Sequence, residues 1–146
     1  MANQRRQGHS FERWTVKWFA DKFNLIPANN KNFKVAEIGT TRQFSTVLDA
    51  LKIDIWFKPD LPDYIKIIQV QCKKMVSKAV SSLTINVKPL EEMPTGFNFL
   101  FTKVTKKVKS NEKAINTYVT MDLNTFDTLM DSYIRDEEAK ILSRNS

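Results

Sequence analysis

The sequence predicts an α+β domain, a mixed central β-sheet flanked by helices. Two observations carry that expectation. Apolar residues recur at helical spacing near both ends of the chain, and short apolar runs bounded by turn residues fill the middle. The resulting order of helix, strand hairpin, further strands and helix shows no internal repeat and no linker, so residues 1–146 are expected to form one domain.

Taken in order, residues 1–8 read as a flexible basic arm carrying Arg5 and Arg6. Residues 9–23 predict an amphipathic helix, opened by His9 or Ser10. Its stripe is Phe11, Trp14, Trp18 and Phe19, widened by Val16 and Phe23. Pro27 and the Asn-rich residues 29–32 break the pattern as a loop. Residues 35–38 form a short expected strand, with Gly39 as a turn. Residues 45–51 predict a short helix capped by Ser45, whose hydroxyl can accept a free helix-start N–H. Residues 53–57 and 64–72 predict two strands, joined through the turn chemistry of residues 59–63 into a hairpin across the core. Residues 76–84 read as another short helix. Residues 97–101 and 118–121 are apolar strands, and the basic residues 102–109 between them form a hairpin arm. Asp122 or Asn124 caps a last helix with Phe126, Leu129, Met130 and Tyr133 on one face. Its polar end, from Arg135 and above all over 138–146, is expected to fray.

Charge narrows the partners. The chain carries 23 Lys+Arg against 16 Asp+Glu, a net charge of +7, which favours a polyanion such as nucleic acid or an acidic membrane surface. No apolar run reaches membrane-spanning length, and Met1 to Arg6 lacks the apolar core of a signal peptide, so a cytoplasmic location is expected. One cysteine excludes an internal disulfide and a cysteine-based zinc site, and one histidine excludes a multi-histidine metal centre.

The most informative stretch runs from Asp54 to Lys73. Residues two apart in a strand face the same way, so Gln71 and Lys73 point at one site. If 53–57 and 64–72 neighbour each other, Asp54 reaches that site as well. An oxygen-rich pocket beside a lysine suits a hard divalent cation and an activated water. Taken alone, Asp54 reads better as a strand-edge acid paired with Lys52 or Lys73; it is Glu12, Gln71, Lys73 and the Arg-Arg-x-Gly opening together that favour a site. Asp49 is a second acid nearby, or an exposed helix position. Cys72 reads as a small buried residue, since no histidine is placed to activate it.

The spacing of Asp54 to Gln71-Cys72-Lys73, together with Glu12 in the first helix, resembles the PD-(D/E)xK nuclease superfamily. Arg5-Arg6-Gln7-Gly8 followed by Phe11-Glu12-Arg13 is similar to the opening of its archaeal-type Holliday junction resolvases. The resemblance covers the first half of the chain, and the second half only in strand order. It implies a restriction-endonuclease-like fold with Glu12, Asp54, Gln71, Lys73 and Ser45 as catalytic residues. Glu12, Asp54, Gln71 and the Cys72 backbone carbonyl would hold Mg²⁺ or Mn²⁺. Lys73 would orient the attacking water, and Ser45 would touch the scissile phosphate region. One departure stands out: Gln71 occupies a position where the family usually has Glu or Asp, and a neutral amide oxygen binds Mg²⁺ more weakly.

The implied activity is a Mg²⁺-dependent, structure-specific DNA endonuclease that resolves four-way junctions by paired nicks during recombination and repair. The expected phosphate contacts are Arg5, Arg6, Arg13, Arg42, Lys74, Lys103, Lys106, Lys107 and Lys109. Branched DNA is the expected partner, with no membrane, and the two-fold substrate implies a homodimer. Residues 97–101 are one candidate surface for that dimer. The alternatives are a restriction- or repair-type nuclease acting on duplex or modified DNA, and a non-catalytic DNA-binding module. The compact length is compatible with a virus-encoded enzyme acting in the host cytoplasm.

Overall fold

The computed structural model describes residues 2–77, 83–109 and 111–145. Its elements in chain order are α1 (Ala2–Phe23), β1 (Ile38–Thr40), α2 (Thr41–Phe44), α3 (Thr46–Ala50), β2 (Ile55–Phe57), α4 (Asp63–Lys66), β3 (Ile68–Ser77), α5 (Lys88–Glu92), β4 (Phe97–Val108), β5 (Asn111–Thr120) and α6 (Leu123–Arg144). The fold is α+β, as expected. β1 and β2 form an antiparallel pair, and β3, β4 and β5 form a mixed sheet in which β3 runs parallel to β4 and β4 antiparallel to β5.

Helix α1 begins at Ala2, so residues 2–8 continue the helix instead of forming a loose arm. No proline or glycine interrupts residues 2–7, and Ala, Gln and Arg are good helix formers, which accounts for the extension. The side chains of Arg5 and Arg6 lie outside the described residues. The buried face holds Phe11, Thr15, Val16, Phe19 and Ala20. Trp14 and Trp18, expected in the core stripe, are 47% and 40% exposed. The helix has turned toward its smaller side chains, which lets Phe19 sit edge-on to Phe57 at 5.8 Å and against Phe101 at 5.4 Å. Trp18 covers the rim of this cluster, edge-on to Phe101, with the Lys22 ammonium over its ring. Asn24, in the left-handed region at φ 56°, ends the helix.

Gly39 lies inside β1, opposite Trp56, and makes no turn. A Cβ there would stand 2.4 Å from the Phe44 ring, so only glycine lets Phe44 lie flat across the strand and stack on Trp56 at 4.0 Å.

The expected hairpin of residues 53–57 and 64–72 is replaced by a looser arrangement. Residues 63–66 form the short helix α4, so β3 starts only at Ile68. β2 pairs with β1 and touches β3 through Asp54. The Asp54 N–H donates to the Val70 carbonyl at 2.8 Å, and the Cys72 N–H donates to Asp54 Oδ2 at 2.7 Å. A carboxylate has thus taken the N–H that the next backbone rung would use, and the two strands part there.

Along β3 the faces alternate. Ile68, Val70 and Cys72 join the core under α1, while Gln69, Gln71 and Lys73 point the other way. The connection to β4 carries α5, which the sequence reading did not foresee. The helix expected over 76–84 falls mostly outside the described residues, and Val76 and Ser77 belong to β3. Phe99 and Phe101 of β4 are buried, so residues 97–101 are core and offer no surface to a second copy. β4 and β5 extend as one long ribbon through the basic residues, turning at Lys109 with φ 58°.

Asp122 caps α6 as expected, accepting from the Thr125 N–H at 2.8 Å. The helix stays regular to Arg144 instead of fraying near 135. Its exposed polar end is held by local pairs, Lys140 with Asp136 and Glu137.

Candidate active site

Asp54 is placed by its neighbours before its own side chain acts. The Thr41 N–H donates to the Asp54 carbonyl at 3.0 Å, and the Thr41 hydroxyl donates to the Ile53 carbonyl at 2.6 Å. Thr41 is itself buried, so these bonds form a dry clamp on the start of β2. The Cys72 N–H then pins Oδ2, leaving Oδ1 available for other partners. Burial pushes the Asp54 carboxyl up from 3.8 to about 6; Glu12 and Asp49 add to the rise, while the Cys72 N–H and Lys73 oppose it. Glu12, Asp49 and Lys73 therefore lie within electrostatic reach of Asp54. The structure brings together most of the expected constellation at the point where β2 and β3 separate.

Glu12 arrives from α1. It sits among Phe11, Thr15, Val16 and Phe19 at helical spacing, so its carboxylate is carried inward, and its side chain is 14% exposed. Arg42 of α2 forms an ion pair with it and also meets the His9 ring. Arg42, expected as a phosphate contact, thus sits at the lip of the acidic site, holding Glu12 in place.

Gln71 and Lys73 occupy the face of β3 away from α1. Gln71 is 3% exposed, and its Oε1 has no hydrogen-bond partner among the described residues. The Thr102 hydroxyl, on β4 beside Lys73, is likewise buried and without a partner among the described residues. Lys73 is exposed and, with Thr102, Met75, Lys88 and Glu92, lines an open cleft of about 420 Å³. The Cys72 carbonyl leaves the strand on the same edge as its N–H, toward Asp54 and away from β4. The Cys72 thiol is held well above its ordinary value by burial and faces Thr15, as expected of a structural cysteine.

Two expected roles separate from this cluster. Ser45 accepts the Leu48 N–H at 3.2 Å as the cap of α3, and among the described residues no hydrogen bond joins it to Asp54. Its hydroxyl is occupied in the way its capping signal foretold. Lys74, expected on DNA, is paired with Glu112 across the sheet. Lys106, Lys107, Lys109 and Lys113 are exposed along the β4–β5 ribbon, with Lys103 half-buried nearer the sheet. Arg13 is exposed on α1. Thr41 and Thr15 are the positioning residues that sequence reasoning missed. Only their burial identifies them, and a threonine beside apolar neighbours gives no such signal in sequence.

The donor set fits a hard cation better than a soft one. Among the described residues no three of His, Cys, Asp and Glu stand close enough to form a metal cluster. What is present is Asp54, Glu12, a neutral buried amide oxygen without a donor, and a backbone carbonyl: oxygen ligands of mixed charge. An acceptor left unpaired in the interior costs roughly 1–3 kcal/mol unless something satisfies it. Comparison with protein-family models, with characterised proteins and with solved structures finds no match.

Proposed function

We propose that this protein is a metal-dependent endonuclease acting on DNA, with branched four-way junctions as its substrate. The observation that carries the reading is Asp54: a carboxyl raised to about 6 by burial, hydrogen-bonded to the Cys72 N–H of β3 and within the field of Glu12 and Lys73. A desolvated acid with a lysine in its field, and that lysine lining an open cleft, suit phosphodiester hydrolysis.

Asp54, Glu12, Gln71 Oε1 and the Cys72 carbonyl would hold Mg²⁺ or Mn²⁺. When bound, the cation supplies neutralising charge to the phosphodiester under attack. Asp54 is largely ionised at neutral pH, because its value of about 6 lies below 7. The Lys73 ammonium, exposed at the cleft, orients the water that attacks phosphorus and stabilises charge developing on the phosphoryl oxygens. The P–O3′ bond breaks in line, leaving a 5′-phosphate and a 3′-hydroxyl. Arg42 keeps the Glu12 carboxylate turned into the site. Lys103, Lys106, Lys107 and Lys109 grip backbone phosphates along the ribbon, and a two-fold homodimer would present two such sites to the two equivalent strands of a junction.

The test is a nicking assay on labelled four-way junction and linear duplex, with and without Mg²⁺, using wild type, Asp54→Asn and Lys73→Ala. Paired nicks on the junction that need Mg²⁺ and vanish in both variants are expected. Metal-independent binding with no cleavage of any DNA would overturn the assignment. Preferential cleavage of linear duplex would keep the chemistry and move the substrate to the restriction or repair class.

A further inference from the structure

The antiparallel pair β1–β2 has two sides. Ile38, Ile55 and Phe57 face the core under α1, while Gly39 and Trp56 face away from it. On that outer side three rings stand in a column. Phe44 of α2 stacks flat on Trp56 at 4.0 Å, and Phe33 follows Phe44 at 5.6 Å. Phe44 and Trp56 are partly buried and stand apart from the core. Phe33, at the outer end, is 48% exposed. A satellite cluster formed only for stability would bury its outermost ring, so packing does not account for Phe33. The column also starts beside the candidate acid. The Thr41 N–H prolongs the strand pairing to the Asp54 carbonyl. Asp54 and Trp56, two residues apart, therefore share the outer side, roughly 7 Å from each other along the chain.

The segment that carries Phe33 is held in one shape. Asn32 Nδ2 donates to the Pro27 carbonyl at 3.0 Å, and its Oδ1 accepts the Asn29 N–H at 2.7 Å. The Asn32 carbonyl accepts the N–H groups of Val35 and Ala36, both at 3.0 Å. Lys31 and Lys34 flank the ring, and both are exposed. Among the described residues neither forms an ion pair. Residues 28–36 hold no acid, and Glu37, the next one along, is turned to the Ile26 N–H.

We propose that Phe33 is a stacking platform for an unpaired nucleobase of the DNA strand passing the Asp54 site, with Lys31 and Lys34 on the adjoining phosphates. Charge and shape select this occupant. A flat π-face takes the base, and the phosphates on either side of that base meet a cation at each flank. An apolar protein segment would leave both lysines without a partner. The inference rests on the DNA reading for the identity of the strand. It narrows the substrate to DNA with a base unpaired near the cut, because a stacked duplex offers no free base face.

Binding of the full chain to a short labelled single strand in EDTA, read by fluorescence anisotropy, tests it. Phe33→Leu keeps an apolar side chain and removes the π-face. It is expected to retain the circular dichroism of wild type and to bind about 5- to 100-fold more weakly, the range of one lost base–aromatic stack. Phe33→Trp is expected to bind at least as tightly as wild type. A strand of abasic sites keeps every phosphate and carries no base, so wild type and Phe33→Leu should bind it equally. Replacing Lys31 and Lys34 by Ala should weaken both strands alike and lower the logarithmic salt slope by about 1.4, at about 0.7 per single-strand phosphate contact. Wild-type affinity in Phe33→Leu, an equal loss on the abasic strand, a Phe33→Trp variant as weak as Phe33→Leu, or a double alanine variant that binds like wild type would each overturn the proposal. No metal and no cleavage enter the assay. A failed nicking test with Asp54→Asn and a failed stacking test with Phe33→Leu therefore remain distinguishable.

Discussion

Replacing Asp54 by asparagine is expected to stabilise the protein while abolishing its chemistry. Burial lifts the Asp54 carboxyl from 3.8 to about 6, a rise of about two units, and at about 1.36 kcal/mol per unit the ionised form costs the native state about 3 kcal/mol. The sign follows from proton linkage. The contribution of the protonated carboxyl is fully present below pH 3.8 and is lost as the pH climbs through about 6. Asparagine carries no charge at any pH and keeps an oxygen to accept the Cys72 N–H. Its added amide donor, if unmatched, returns about 1 kcal/mol. A net gain of about 2 kcal/mol above pH 6 is expected, corresponding to a Tm increase of about 4–8 °C for a chain of this size. Thermal unfolding of wild type and Asp54→Asn at pH 4, 5, 6 and 7.5 should show curves that meet near pH 4 and separate toward pH 7.5. Mg²⁺ should then narrow the gap by stabilising only the wild type. A variant less stable than wild type at pH 7.5, or a gain independent of pH, would refute the account of a desolvated acid at this position.

Glu12→Gln should leave the fold intact and lower Mg²⁺-dependent nicking roughly 10–100-fold, measured under single-turnover conditions, because it removes a carboxylate that Arg42 holds inward. Gln71→Glu places a charge at a position 3% exposed, so without metal its Tm should fall, while its thermal shift with Mg²⁺ should exceed that of wild type. Replacing Lys106 and Lys107 by Ala should weaken binding to every junction sequence and reduce the logarithmic salt slope by about 1.8, at about 0.9 per lost phosphate contact. Gly39→Ala should cost about 1–3 kcal/mol in urea unfolding, because its Cβ meets the Phe44 ring at 2.4 Å.

What was legible in the sequence was mostly local. Ser45 and Asp122 cap the helices they were expected to cap, because a cap is settled by a hydroxyl or carboxylate within three residues of its donor. Glu12 was readable as an inward acid from the period of its helix. The alternation of Gln71 and Lys73 followed from strand geometry alone. The relation of β2 to β3 was not readable, since it turns on one carboxylate displacing one backbone rung over 18 residues of sequence separation. Trp14 and Trp18 misled for a related reason: both sit at helical spacing, but sequence cannot tell which edge of a wide stripe the sheet will cover. The placement of residues 97–101 in the core is likewise a tertiary outcome that apolar content leaves undecided.

The cost of the site is itself an argument about its use. Asp54, Gln71 and Thr102 lie on neighbouring chain segments, and each holds a polar group whose solvation the fold has removed without full replacement. A module that only gripped DNA through the lysines of its ribbon would gain nothing from them. Asparagine at 54 and apolar residues at 71 and 102 would give the same phosphate contacts on a more stable scaffold. A cation beside Asp54 would reverse the balance. Bound there, it would lower the cost of ionising Asp54 and would give Glu12 a second partner besides Arg42. Stability that rises with Mg²⁺ and loses that dependence in Asp54→Asn would tie these groups to one bound ion. Metal-insensitive stability would leave them as an expensive core and favour the non-catalytic alternative.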